Sequence, residues 1–280
     1  MKKDEMEEII SGHFKKIDKL FPKIIARFEM EDIHNFRIEI KKLRSFLHLL
    51  DMEVEVVPQI KIPKKLKTFY GYIGVIRNLQ LHVQNINNYF QNSNDELPGL
   101  YITKLNGEIE YWESTTKEFI DAHNNFLDDE EKLLSELPYR LRKSSIKKFI
   151  KYIVYEIQVM LIRLHNDEAL HSIRKFLKDL LYNWEYVKSY IVKLSPGINH
   201  EKEIRSLIEI LGDFRDKCID LTLLKTYVTD TCLDKDKPVL GKLILSWEIE
   251  KESLKQIIRT SLELIPVAPI VAGAFSFKRL

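Results

Sequence analysis

Apolar residues recur along most of the chain at spacings of three and four, the period of a helix with one buried face. Phe36, Ile40, Leu43, Leu47 and Leu50 form one such run. The pattern predicts eight helices: about Glu5–Phe28 with a bend at Pro22, Asp32–Asp51, a long helix from after Pro63 to Tyr89, Leu100–Phe126, Lys143–His165, Glu168–Lys193, Glu201–Tyr227 and Pro238–Leu264. Turn chemistry separates them. Pro58 and Pro63 bracket a linker, Asn92 to Gly99 is polar and ends in glycine, and Ser195-Pro196-Gly197 is a turn. No segment shows the two-residue alternation of a paired strand. Four helices on either side of Pro138 predict an all-α fold of two four-helix bundles, residues 1–137 and 138–280.

Composition agrees with this and narrows the function. Apolar residues make up 45% of the 280, and Gly and Pro number only nine each, which suits long packed helices. With 44 basic and 42 acidic residues the net charge is +2, so only a local clustering of charge could attract an anion. Cys218 and Cys232 build no disulfide framework and fit a reducing compartment. The segment Met1-Lys2-Lys3-Asp4-Glu5 lacks the apolar core of a signal peptide, and no apolar run reaches the roughly 20 residues of a membrane span. The expectation is a soluble cytoplasmic protein. The apolar tail Ile265–Phe275 holds Pro266 and Pro269, which stop a helix. It calls for cover by a bundle, or by a second subunit in a homodimer.

Comparison of the chain with itself changes the picture more than composition does. His34-x-x-Arg37-x-x-x-Lys41 returns as His171-x-x-Arg174-x-x-x-Lys178, 137 residues later. Lys64, Lys67, Gly74 and Arg77 return as Lys202, Arg205, Gly212 and Arg215, 138 residues later. On a helix turning about 100° per residue, His34, Arg37, Lys41, Arg44 and His48 lie within about 80° of one another. They border the apolar arc, whereas solvated charges usually lie opposite it. A basic stripe beside the core predicts a groove lined with cations. Gly74 and Gly212, inside helices where Gly costs about 1 kcal/mol relative to Ala, imply close helix–helix approach that holds Arg77 and Arg215 near that groove.

These residues resemble the CHAD family, the conserved histidine α-helical domain. Its His-x-x-Arg-x-x-x-basic helix start and its Leu-Gly-x-x-Arg-Asp type segment each occur twice. The second appears here as Ile73-Gly74-Val75-Ile76-Arg77-Asn78 and Leu211-Gly212-Asp213-Phe214-Arg215-Asp216. The resemblance spans about residues 5 to 265. It implies two four-helix bundles related by a pseudo-twofold axis, with a basic groove between them that binds inorganic polyphosphate; hydrolysis is not expected, because the groove contributes cations but no evident nucleophile or metal-binding carboxylate pair. By position the groove would hold His34, Arg37, Lys41 and Arg44 from one half and His171, Arg174 and Lys178 from the other, flanked by Lys67, Arg77, Arg205 and Arg215. Chemistry agrees, since Arg grips phosphate oxygens bidentately and a linear polyanion needs a row of cations. The second stripe departs from the first: Leu181 stands opposite Arg44, Glu185 opposite His48 and Asp179 opposite Lys42. Asn78 stands where the family has Asp.

Two other readings share these residues. Glu31-x-x-His34 and Glu168-x-x-His171 could supply ligands of a di-metal carboxylate centre in a helical bundle. The neighbouring Arg37, Lys41, Arg174 and Lys178 disfavour a dication, and each Glu sits at a helix start, where a carboxylate is favoured anyway. Single-stranded nucleic acid would also suit a phosphate groove, but no aromatic stacking platform accompanies the stripe, Tyr70 and Tyr72 reading equally well as core. No phosphate loop, nucleophile elbow or zinc spacing occurs. A non-enzymatic protein without metal or cofactor is expected.

Overall fold

The computed structural model describes residues 1–53, 60–93, 95–123, 130–164, 166–194, 200–230 and 235–263. Pro58, the Ser195-Pro196-Gly197 turn and the tail from Ile265 lie outside the described residues, and with them the expectation of a tail packed on a bundle or a second subunit. Among the described residues the chain is all-helical, with ten helices: α1 Lys3–Arg27, α2 Met30–Asp51, α3 Lys64–Gln91, α4 Gly99–Asp121, α5 Glu130–Ser135, α6 Lys143–Leu161, α7 Asp167–Tyr182, α8 Trp184–Leu194, α9 Glu201–Asp230 and α10 Lys237–Glu263. None of them is long and apolar enough to cross a membrane.

The count of ten corrects the expected eight at two places. The short α5 packs on α1. The helix expected over Glu168–Lys193 is divided into α7 and α8 at Asn183. The side chain of Asn183 competes for backbone groups that a continuing helix would leave to itself. Its Nδ2 donates to the carbonyl of Asp179 (3.0 Å), and across to the carbonyl and hydroxyl of Ser45 on α2 (2.9 and 2.7 Å). The Ser45 hydroxyl donates in turn to the Asp179 carbonyl at 3.0 Å. The break is thus also a latch between α2 and α7.

Packing follows one order in both halves. Helix α1 lies on α2, α2 on α3 and α3 on α4; α6 lies on α7, α7 on α9 and α9 on α10. Helices α2 and α7 pack on each other at the centre. The turn from α1 into α2 is made at Phe28, whose φ of 48° is left-handed and strained for a bulky residue. Its amide bonds to the Ile24 carbonyl, and Gln80 Nε2 of α3 donates to its own carbonyl at 2.9 Å, fixing the turn against the third helix.

The buried apolar residues form two clusters, and each draws on both sides of residue 138. The larger holds Ile10, Phe36, Phe69, Phe149, Leu177 and Phe214 among others. The smaller joins the far ends of α3 and α9 to α4 and α10 through Leu79, Ile86, Tyr101, Leu224, Leu243 and Trp247. Along α3 the first cluster ends at Ile76 and the second begins at Leu79; along α9 the corresponding residues are Phe214 and Leu221. Arg77, Arg215 and Asp216 occupy these intervals, so the repeated charges fall between two cores.

The smaller cluster encloses a polar chain. His82 is fully buried, with Nδ1 2.7 Å from Asp220 Oδ1 and Nε2 2.8 Å from the Tyr101 hydroxyl. Asn85 Nδ2 donates to the other Asp220 oxygen at 2.8 Å. Burial raises the pKa of the Tyr101 phenol, which keeps its proton. A His82 ring that accepts from Tyr101 at Nε2 and donates to Asp220 from Nδ1 satisfies every group. Replacing His82 by Phe leaves Asp220 buried with half its partners. We predict that His82→Phe lowers stability by about 3 kcal/mol, measured by urea unfolding; a loss below about 0.5 kcal/mol would refute the role given to this chain.

Candidate functional site

Helix α2 brings His34, Arg37 and Lys41 to its contact with α7, which brings His171, Arg174 and Lys178. On α2 the buried carboxylate Glu39 is already engaged: it accepts from Lys42 at 2.8 Å and pairs with His13 of α1 at 2.8 Å. Burial alone would raise the Glu39 pKa, but these hydrogen bonds and the nearby lysines hold it down at about 2. The carboxylate two residues from Lys41 thus serves other groups.

Lys41 is left among cations. Burial pushes its ammonium down to about 7, helped by Lys178, then Arg37, Arg174 and Arg77. Lys178 is pushed down to about 8 by burial and by Arg174, with Asp216 opposing. Desolvation disfavours a charge and like charges add to the effect, so both shifts have the sign expected of a walled cationic cluster. Asp216 of α9 is the acid that faces it. Asp216 is exposed by surface area, yet partial desolvation of its carboxyl raises its pKa against the pull of Arg174 and Arg77.

The arginines are held by backbone and rings. Arg37 Nη1 donates to the Tyr70 carbonyl of α3 at 2.9 Å, and its guanidinium carbon sits 4.2 Å above the Tyr70 ring. A Cβ at position 74 would overlap Arg37 Nη1. This corrects the expected role of the glycines. Gly74 is bare so that a guanidinium can lie on α3, rather than to admit a neighbouring helix. Gly212 is looser, since a Cβ there would stand 3.4 Å from Arg174 Nη2, an ordinary contact. Among the described residues, Arg77 Nε, Arg174 Nε and His171 Nδ1 are buried without a hydrogen-bond partner.

The structure therefore brings Arg37, Lys41, Arg77, Arg174 and Lys178 together, with His34 at the edge. The His34 pKa is lowered by burial, then by Arg77, Lys41 and Lys178 against the pull of Glu31. That of His171 is lowered to about 4, by burial and then by Lys175 and Arg215. His171 is accordingly a neutral imidazole at pH 7. Arg215 acts on His171 and pairs with Glu168 at 3.6 Å, lining a cavity with Asp167, Cys218 and Lys251. Arg44 and Lys67 are exposed, and Arg205 is exposed and bonded to Glu201 on its own helix. Sequence reasoning read Tyr70 as a core or stacking residue and not as the seat of Arg37, and it passed over the His82–Asp220 pair. The 138-residue offset holds the signal for the pair, because it sets His82 on Asp220.

The metal reading finds little support in these surroundings. Glu31 is exposed and accepts from Asn35 at 3.1 Å, and Glu168 is turned to Arg215. Among the described residues no three His, Cys, Asp or Glu side chains are grouped to hold a metal ion.

Residues 8–225 match the family profile described as the CHAD domain. The fold resembles the crystal structure of the CHAD domain from the plant Ricinus communis, with a TM-score of 0.70 and 14% identity over 93% of this chain and 91% of that one. It also resembles PptA from Streptomyces chartreusis, with a TM-score of 0.69 and 12% identity over 94% of this chain and 99% of that one. No curated protein matches the sequence.

Two predictions follow from this geometry. In an exposed helix Gly→Ala adds about 1 kcal/mol of stability. Gly212→Ala should gain part of that, whereas Gly74→Ala should lose stability by displacing Arg37 from Tyr70; equal effects in urea unfolding would contradict the cradle. The lowered lysines fix a sign as well. Between about pH 7 and 10.5 the unfolded chain, with ordinary lysines, binds more protons than the folded one, so stability rises with pH across that window. Lys41→Met should flatten the rise; a wild-type stability that falls from pH 7 to 9.5, with no change of slope in Lys41→Met, would refute it.

Proposed function

Because the chain belongs to the CHAD family, we propose that it binds inorganic polyphosphate without hydrolysing it, in the groove where α2, α3, α7 and α9 meet. One observation carries the reading. Lys41 and Lys178 lie close to each other in an enclosed place, with three arginines around them and Asp216 as the facing acid. Such a cluster repels itself, and an anion with a charge on every unit relieves that repulsion along its length. The buried Nε groups of Arg77 and Arg174 are donors ready for phosphate oxygens. The groove offers cations and neutral imidazoles, with neither a nucleophile beside a base nor a carboxylate pair for a metal. Binding without catalysis is the chemistry these groups perform.

The repeat supports a pseudo-twofold relation of the halves, with the axis passing between Lys41 and Lys178 and between His82 and Asp220. Arg77 reaches the centre and its counterpart Arg215 does not, so the first half contributes more to the site. The cytoplasm, where reduced cysteines and an intracellular polyanion coexist, is the compartment that suits this function.

A titration with long-chain polyphosphate at two salt concentrations tests the proposal. Each charged hydrogen bond contributes about 1.5–3 kcal/mol, so Arg37→Ala and Arg174→Ala should each weaken binding by about 10- to 100-fold. Arg37→Lys keeps the charge but loses the fork and the stacking, and should fall between. Affinity should drop steeply with salt as counterions are released. No binding at low salt, or an unchanged affinity in the double alanine variant, would refute the proposal. Equal affinity for single-stranded RNA would refute the choice of ligand.

A further inference from the structure

Positive charge also collects on the solvent face of α6, outside the groove. Between residues 143 and 155 the exposed positions of this helix are Lys143, Ser144, Lys147, Lys148, Lys151 and Tyr155. At about 100° per residue they share an arc of about 140°, while Ile146, Phe149, Ile150 and Ile153 are buried on the other side. No Asp or Glu occurs from Leu137 to Tyr155. The four lysines alone exceed the net charge of the whole chain, +2.

The fold does not require this. Helix α1, which packs on α2 as α6 packs on α7, exposes Asp4, Glu5, Glu8 and Asp18 among its lysines. Nor does helix stability ask for it, because cations near a helix N-terminus oppose the dipole and the first turn of α6 holds no acid.

The face continues the stripe of α2. Beyond Lys41 that stripe runs through exposed Arg44 to His48, which pairs with Asp179 at 3.1 Å and whose ring meets Phe149 and Tyr152 of α6 at centroid distances of 5.4 and 5.6 Å. Lys148 lies one turn before Tyr152. The second half has no such continuation, since Leu181 and Glu185 take the places of Arg44 and His48.

We infer that the lysine face of α6 is a second binding surface for the same polyanion. A chain longer than the groove passes Arg44 and His48 and lies along Lys148, Lys147 and Lys143. The inference rests on the groove reading and adds length selectivity to it: short chains use the groove alone, and long chains use both surfaces. Charge complementarity and continuity with the groove favour this occupant over an acidic lipid surface.

The test is the triple variant K143A/K147A/K148A of the full chain, checked for unchanged helicity and titrated with tripolyphosphate and with long-chain polyphosphate. Tripolyphosphate affinity should equal that of the parent. Long-chain affinity should fall about tenfold, and its salt slope should shrink by about two to three, near 0.7–0.9 per lysine removed. Arg37→Ala should weaken both ligands. If the triple variant binds long chains like the parent while Arg37→Ala still weakens them, the α6 surface is overturned and the groove stands. If Arg37→Ala weakens neither ligand, the groove reading fails and this inference with it. Loss of binding to vesicles of anionic phospholipid, with long-chain affinity intact, would overturn the inference in favour of a lipid surface.

Discussion

Lys41 and Lys178 put two amino groups near each other in a half-buried place, and the rest of the structure makes that tolerable. Like charges in an enclosed site destabilise one another and the fold that holds them. Here the opposition comes from apolar packing on both sides of the charges. The large cluster lies beneath α2 and α7, and the smaller one joins α3, α4, α9 and α10 beyond them. Two polar latches fix the helices that carry the cations: Ser45, Asp179 and Asn183 between α2 and α7, and His82, Asp220, Asn85 and Tyr101 in the smaller cluster. The helices have little freedom to let the cations drift apart.

That rigidity suits the polyanion-binding role proposed above. A flexible row of lysines must be ordered when it binds, and the ordering subtracts from affinity. Here Arg37 is set in advance by the Tyr70 carbonyl and ring and by the bare backbone at Gly74. Arg174 has a looser seat over Gly212. The two halves therefore use one motif with different tightness. Arg77 lies by the central lysines, while Arg215 is drawn to Glu168. The two copies of the sequence motif thus stand in different surroundings.

Much of this was legible in the sequence, for reasons that can be named. The spacing of His34, Arg37 and Lys41 beside Phe36, Ile40 and Leu43 fixes one face of a helix next to a core, and its return at His171, Arg174 and Lys178 marks the same place in the other half. Four of the five central cations follow from that argument, and Arg77 follows from the separate return of Gly74 and Arg77 as Gly212 and Arg215. The angular position of a residue does not say how far neighbouring helices extend, so Arg44, Lys67 and Arg205 read as groove residues although they are exposed. The break at Asn183 is invisible to periodicity because apolar spacing resumes at once, and only the partner Ser45, 138 residues away, explains it. Gly74 looked like a helix–helix contact because a sequence does not show which side chain fills the space a glycine leaves.

On this account Lys41 and Lys178 are partly deprotonated before binding, and a polyanion restores their protons. Isothermal titration of polyphosphate at pH 8 in buffers of different ionisation enthalpy measures this directly. Lys41 and Lys178, held down at about 7 and 8, must regain protons when phosphate neutralises the site, so binding should take up about one proton or more per protein. The uptake should diminish in Lys41→Met. Binding with no proton uptake, or with release, would contradict the claim that these two lysines are the centre of the site.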